Sequence, residues 1–220
     1  MIELYLASFL LIITHLLPVI GPVRSVCMTV LGKRLYFTLY STLSTASLLW
    51  LAWAYNAAPF IELWQQQPWM RFIPFLTMPL VCYLWVSGLT SPNPFSLTLS
   101  TKKFNANKPG IVAISHHPVV TGFILWALSH IPVNNDQAAL TLFSAVILIS
   151  LLGCFTLHHR KQTTIGNQAW HDLTVAIRST SPYKGFQQTG ILRFIASILL
   201  YSLLLMAHQW VIGVSPFPNF

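Results

Sequence analysis

Charge is what this sequence has least of. Only 7% of its 220 residues are Asp, Glu, Lys or Arg, whereas an average soluble domain carries about 25%. Four acids and twelve bases cannot cover a water-facing surface, so a soluble globular domain is excluded. Disorder is excluded too, because disordered chains are polar and charge-rich. Carboxylates are scarcer still. Glu3, Glu62, Asp136 and Asp172 are the only ones, all in loops or near the ends of apolar runs. That disfavours paired-carboxylate catalysis and a proton relay built on intramembrane acids. Three cysteines, Cys27, Cys82 and Cys154, form no C-x-x-C or C-x-x-C-H. Covalent c-type haem, a zinc ribbon and a disulfide framework are therefore disfavoured. Walker and Rossmann loops, G-x-S-x-G and fixed-period repeats are missing, as is the alternating pattern of a membrane barrel.

What is present is 55% hydrophobic residues, gathered into long runs. A membrane-crossing helix needs roughly 20 apolar residues. Six runs qualify, at residues 2–20, 35–55, 72–88, about 111–131, 138–157 and 191–212. Each is expected to be helical, because only helices and closed barrels satisfy their backbone in hydrocarbon. The expectation is thus an all-α polytopic transmembrane bundle of six spans, forming one integral membrane domain over residues 1–220. Eleven of the twelve basic residues fall in alternate loops or beside them, Arg71 being the exception. By the positive-inside rule those loops face the cytoplasm and both termini lie outside. The net charge of +8 is then a loop charge facing anionic lipid rather than a nucleic-acid surface. Glu3 and the lack of a basic segment before the first run argue for a retained span rather than a cleaved signal peptide.

Two segments read differently. In residues 166–181, Trp170, Leu173 and Ile177 are spaced i, i+3, i+7 among polar residues, the pattern of a short amphipathic helix on the cytoplasmic face. Residues 91–110 carry Pro92, Pro94, Pro109 and Gly110 and read as a loop. On span two, Thr38, Ser41, Thr42 and Thr45 share one face, which suggests close helix packing.

Eight histidines stand out: His15, His116, His117, His130, His158, His159, His171 and His208. His15, His116, His117 and His130 fall in or at the ends of spans one and four. A neutral imidazole in a span serves either as an interhelical hydrogen-bond partner or as a metal ligand. As a group they suit haem better than zinc. Haem asks for one or two histidines in an apolar pocket, while zinc wants three or four ligands and helpers are scarce. His158 and His159, beside Arg160 and Lys161, read as a solvated face.

Several stretches resemble the NnrU family of bacterial membrane proteins. They include His15-Leu-Leu-Pro18 with Gly21-Pro22 and Arg24; Leu31-Gly32-Lys33-Arg34-Leu35-Tyr36; and Ser91-Pro92-Asn93-Pro94. His117-Pro118, Trp126-Ala127-Leu128-Ser129-His130, Asn134-Asn135-Asp136, Leu142-Phe143 and Ala169-Trp170 follow. The resemblance covers about residues 10–181. It implies residence in a bacterial cytoplasmic (inner) membrane and an association with denitrification and nitric oxide metabolism. The family is similar to plant zeta-carotene isomerase, a haem-dependent membrane enzyme. That similarity implies non-covalent haem b with His15 and His130 as axial ligands, and His117 matches the histidine between them. Where the family usually has Arg-His-Pro, this chain has His116-His117-Pro118. Arg24, near the inner end of span one, is a candidate partner for a haem propionate. Counting along the helices puts His15 and His130 roughly 10–15 Å apart in depth, with His117 nearer the depth of His15, so His117 is the alternate ligand.

Two functional classes follow. One is a haem-b membrane enzyme, a redox-dependent isomerase or lipid-modifying enzyme acting on a lipophilic substrate from the bilayer. The other is a non-enzymatic accessory or assembly subunit of a respiratory (denitrification) complex.

Overall fold

A computed structural model describes residues 1–16 and 21–218, apart from the side chain of Pro22. Pro18 and the end of the first run lie outside the described residues. The order is α1 (Ile2–Leu16), α2 (Gly21–Asn56), a 3-10 turn (Pro68–Arg71), α3 (Phe72–Thr90), a second 3-10 turn (Gly110–Ala113), α4 (Pro118–His130), α5 (Gln137–Ile165), α6 (Asn167–Arg178), α7 (Pro182–Thr189) and α8 (Ile191–Ile212). Among the described residues there is no strand, only an isolated antiparallel bridge between Glu62 and Asp136. Three helical stretches are long and apolar enough to cross a bilayer: Pro68–Thr90, Gln137–Ile165 and Ile191–Ile212. Two more apolar helices, Ile2–Leu16 and Pro118–His130, are shorter than that.

The chain divides into two compact units, residues 1–66 with 134–152, and residues 67–133 with 153–220. In the first, Leu4, Ala7 and Leu11 form a buried stripe along α1. They pack with Leu51 and Ala54 of α2 and Ala138 of α5. The small side chains let the helices approach closely. α2 contains a break: Gly32 has φ 75° and ψ 156°, a region essentially reserved for glycine. Thr38, Ser41, Thr42 and Thr45, expected on a packing face, are exposed within the chain. The inward stripe is instead Ser47, Leu51 and Ala54, with Ser44 half-buried above them. A loop clasp completes the unit. Leu63 N–H donates to the Asn135 carbonyl at 2.8 Å and Gln137 N–H to the Ile61 carbonyl at 2.9 Å. Asp136 caps α5 by accepting from Ala139 N–H at 2.9 Å.

In the second unit α3 and α4 meet through glycines. A Cβ at Gly88 would stand 2.8 Å from both Pro118 Cγ and Val119 Cγ2, and one at Gly122 would stand 2.6 Å from the Trp85 ring. The fourth apolar run was expected to be helical from about residue 111, but α4 begins only at Pro118 and is about 20 Å long. Proline fits the first helical position and disfavours helix at the residue before it. His117 accordingly adopts φ −124°, ψ 61°, and residues 110–117 fold as a 3-10 turn and an irregular lead-in.

The amphipathic segment is a helix, α6, but its apolar face is not left to the lipid. Trp170 and Ile177 are buried with Tyr83, Leu84, Phe95, Ile111 and Val112. The irregular 91–117 segment supplies that apolar cover. α7 carries its own start signal: Ser181 Oγ accepts from Lys184 N–H at 3.3 Å, with Pro182 at the first helical position. α8 buries little beyond Ser197. It is tied to α3 by Tyr201, whose hydroxyl donates to the Phe75 carbonyl at 2.9 Å, and by Arg193, which donates to the Thr90 carbonyl at 3.1 Å.

Candidate functional site

His15 sits in the last turn of α1. Its Nδ1 lies 2.9 Å from the Leu11 carbonyl oxygen. A carbonyl only accepts, so Nδ1 carries a proton. Thr14, 3% exposed, donates its hydroxyl to the same carbonyl at 2.9 Å. The Ser44 hydroxyl of α2 stands 3.4 Å from Nε2, and the Tyr40 ring lies edge-on at 6.5 Å.

His130 repeats this arrangement at the end of α4. Its Nδ1 lies 2.8 Å from the Trp126 carbonyl oxygen, to which the buried Ser129 also donates its hydroxyl at 2.9 Å. The Trp126 ring stands 5.6 Å from the imidazole. Both histidines thus donate from Nδ1 to a carbonyl of their own helix. This is the form in which a metal-bound histidine is usually held, its other nitrogen donating to a carbonyl. His15 belongs to the first unit and His130 to the second, and each is prepared within its own helix.

A third imidazole is held differently. His117 is only 6% exposed, and neither ring nitrogen has a hydrogen-bond partner. Leaving a buried polar group unsatisfied costs about 1–3 kcal/mol. His116 immediately precedes it. The backbone around this pair is fixed by Asn93. Its Oδ1 accepts from Phe95 N–H at 2.8 Å and Ser96 N–H at 3.2 Å, and its Nδ2 donates to the His116 carbonyl at 3.1 Å. Phe95 stacks on the His116 ring at 4.5 Å and meets Trp170 at 4.6 Å. His158 is exposed overall, yet its ring lies 4.8 Å from Trp170 and 6.3 Å from His117. It is therefore part of this aromatic cluster rather than only a solvated residue.

Arg24 is half-buried in the first turn of α2. His159 and His171 are exposed, and His208 bonds the Val214 carbonyl at 2.7 Å. Among the described residues no three His, Cys, Asp or Glu side chains gather as a metal-binding group. A haem iron asks the protein for only one or two such ligands, and the Nδ1-protonated imidazoles match that demand. Within the second unit an apolar groove of about 240 Å³ runs between α3, α7 and α8, lined by Leu80, Tyr83, Phe186, Phe194 and Ile198 among others. The sequence reading missed Thr14, Ser129 and Asn93. The hydroxyl residue preceding a histidine in both motifs was the visible signal for the first two.

A helical chain with three apolar helices of bilayer-crossing length, carrying histidines at the ends of two shorter apolar helices, defines a membrane-type helical protein. The chain belongs to the NnrU family: the model of that family, described as NnrU protein, matches residues 3–216. The match extends past both ends of the stretch in which the motifs were recognised. No curated protein matches the chain, and no solved structure does.

Proposed function

We propose that this chain is a haem-b membrane protein of the bacterial cytoplasmic membrane. His15 and His130 are the candidate axial ligands, His117 is the alternate, and Arg24 is a partner for a propionate. The observation that carries the reading is the shared state of His15 and His130. Each spends its Nδ1 proton on a carbonyl of its own helix, which fixes the ring. A metal-bound histidine is usually held in this way, its other nitrogen donating to a carbonyl.

On this reading all six apolar runs lie in the membrane, the shorter α1 and α4 included, with both termini outside. Haem, if bound, would supply a one-electron redox centre. The chain's own residues orient the imidazoles, exclude water with apolar side chains, and place a positive charge at Arg24. The groove beside Tyr83 and Phe186 gives a lipophilic substrate a route of approach from the lipid side. The activity proposed is redox-dependent isomerisation or modification of such a substrate, within denitrification or nitric oxide metabolism.

An absorption spectrum of the detergent-purified chain, oxidised and reduced, tests this. A Soret band is expected, and His15→Ala and His130→Ala should each shift or weaken it. If neither substitution changes the spectrum, the ligand assignment fails. A stable colourless protein that co-purifies with an oxidoreductase would instead mark an accessory subunit.

A further inference from the structure

The two histidine motifs share a detail that ligation alone does not require. In each, one backbone carbonyl accepts two side-chain donors, the imidazole Nδ1–H and the hydroxyl of the preceding residue. For Leu11 the distances are 2.9 Å from His15 Nδ1 and 2.9 Å from Thr14 Oγ1. For Trp126 they are 2.8 Å from His130 Nδ1 and 2.9 Å from Ser129 Oγ. Thr14 is 3% and Ser129 is 4% exposed, so water does not substitute for the carbonyl. The hydroxyls also stand 3.5 Å and 3.2 Å from the Nδ1 atoms themselves. Serine and threonine often bond back to a preceding carbonyl of their own helix. What is particular here is that both choose the carbonyl that holds the histidine.

We infer that Thr14 and Ser129 are positioning residues that set the donor strength of the adjacent imidazole by competing with it for one carbonyl. The reasoning rests on the haem reading above. A carbonyl oxygen divides its electron density between two donors, so each bond is weaker than it would be alone. The Nδ1–H···O=C bond makes the imidazole a stronger ligand, and ligand strength together with second-shell hydrogen bonding sets the potential of a haem iron. The hydroxyl therefore holds the imidazole below its full donor strength. Removing it gives the carbonyl wholly to the histidine, strengthens Nε2 as a donor and favours the ferric state.

The test uses the full-length protein in detergent, loaded with haem, and reads the midpoint potential by optical redox titration. Thr14→Val keeps the side-chain shape without the hydroxyl, and Ser129→Ala removes the other. Each is expected to change the ferric-over-ferrous preference by two- to tenfold, a drop in potential of up to about 59 mV for a one-electron couple. Thr14→Ser and Ser129→Thr restore the hydroxyl and should return the potential to the wild-type value. A merely structural role would lower haem content or melting temperature and leave the potential of the loaded fraction unmoved. If wild type binds haem and neither hydroxyl-free variant moves the potential, this inference falls and the haem reading stands. A wild type that shows no Soret band after loading overturns both.

Discussion

Gly88 and Gly153 are both helical glycines, on α3 and α5, and the same substitution should act on them with opposite signs. At Gly88 an alanine Cβ would lie 2.8 Å from Pro118 Cγ and from Val119 Cγ2. Carbon contacts are comfortable only near 3.5–4.0 Å, so the neighbours must retreat by roughly 0.7 Å or more. Pro118 is fully buried and its ring is rigid, so the first turn of α4 has to move as a whole. Overpacking of this kind costs about 1–3 kcal/mol, while glycine to alanine in a helix gains about 0.5–1 kcal/mol. The net loss is up to about 2.5 kcal/mol, a melting temperature lower by up to roughly 10 °C in a chain of this length. At Gly153 nothing lies within 4 Å of the added carbon. Only the helix gain remains there, and the melting temperature should rise by roughly 1–4 °C. Both variants can be melted in one detergent and followed by tryptophan fluorescence. A Gly88→Ala protein that melts at or above wild type would refute the close α3–α4 approach.

Two further predictions concern the ground around His117. Asn93→Ala removes the acceptor for Phe95 and Ser96 N–H and the donor to the His116 carbonyl. With buried amides left unpaired it should cost about 2 kcal/mol or more, and the emission of Trp170, which Phe95 touches, should change with it; unaltered stability and emission would count against this anchor. His117→Leu replaces a buried ring that has no hydrogen-bond partner with an apolar side chain and should hold or raise the melting temperature at neutral pH; a clear drop would show that the ring is satisfied in the folded protein.

The fold was legible where one signal dominated. The apolar runs mark helices because a helix is the structure a long apolar segment can satisfy internally, and α8 spans residues 191–212 as read. Where two signals competed, the boundaries moved. Run four is apolar from residue 111, but the His117-Pro118 dipeptide overrides hydropathy and starts α4 at the proline. The period of Trp170, Leu173 and Ile177 correctly marked α6. It could not say that Phe95 and Ile111, far apart in sequence, would cover that face. α7 was signalled by Ser181-Pro182 and overlooked because its eight residues hold too few apolar side chains to show a period. On α2 the Thr/Ser stripe was real as a pattern, but burial followed Ser47, Leu51 and Ala54, the face that meets α1.

The histidines show the same division between composition and geometry. Their number and placement were plain in the sequence. What sequence could not supply was their state. His15 and His130 resemble each other because each lies in the last turn of a helix, where the carbonyl four residues back comes within reach of Nδ1. His117 differs because proline ends the regular backbone beside it, so no carbonyl of a preceding turn is there to take its proton. The result is one chain with two kinds of buried imidazole: a pair whose Nδ1–H is held by the backbone, and a single ring left without a partner beside His116 and His158. Stability alone does not favour the second kind, since a leucine would fill that space without an unsatisfied nitrogen. The His117→Leu protein tests this: its folding should be intact at neutral pH.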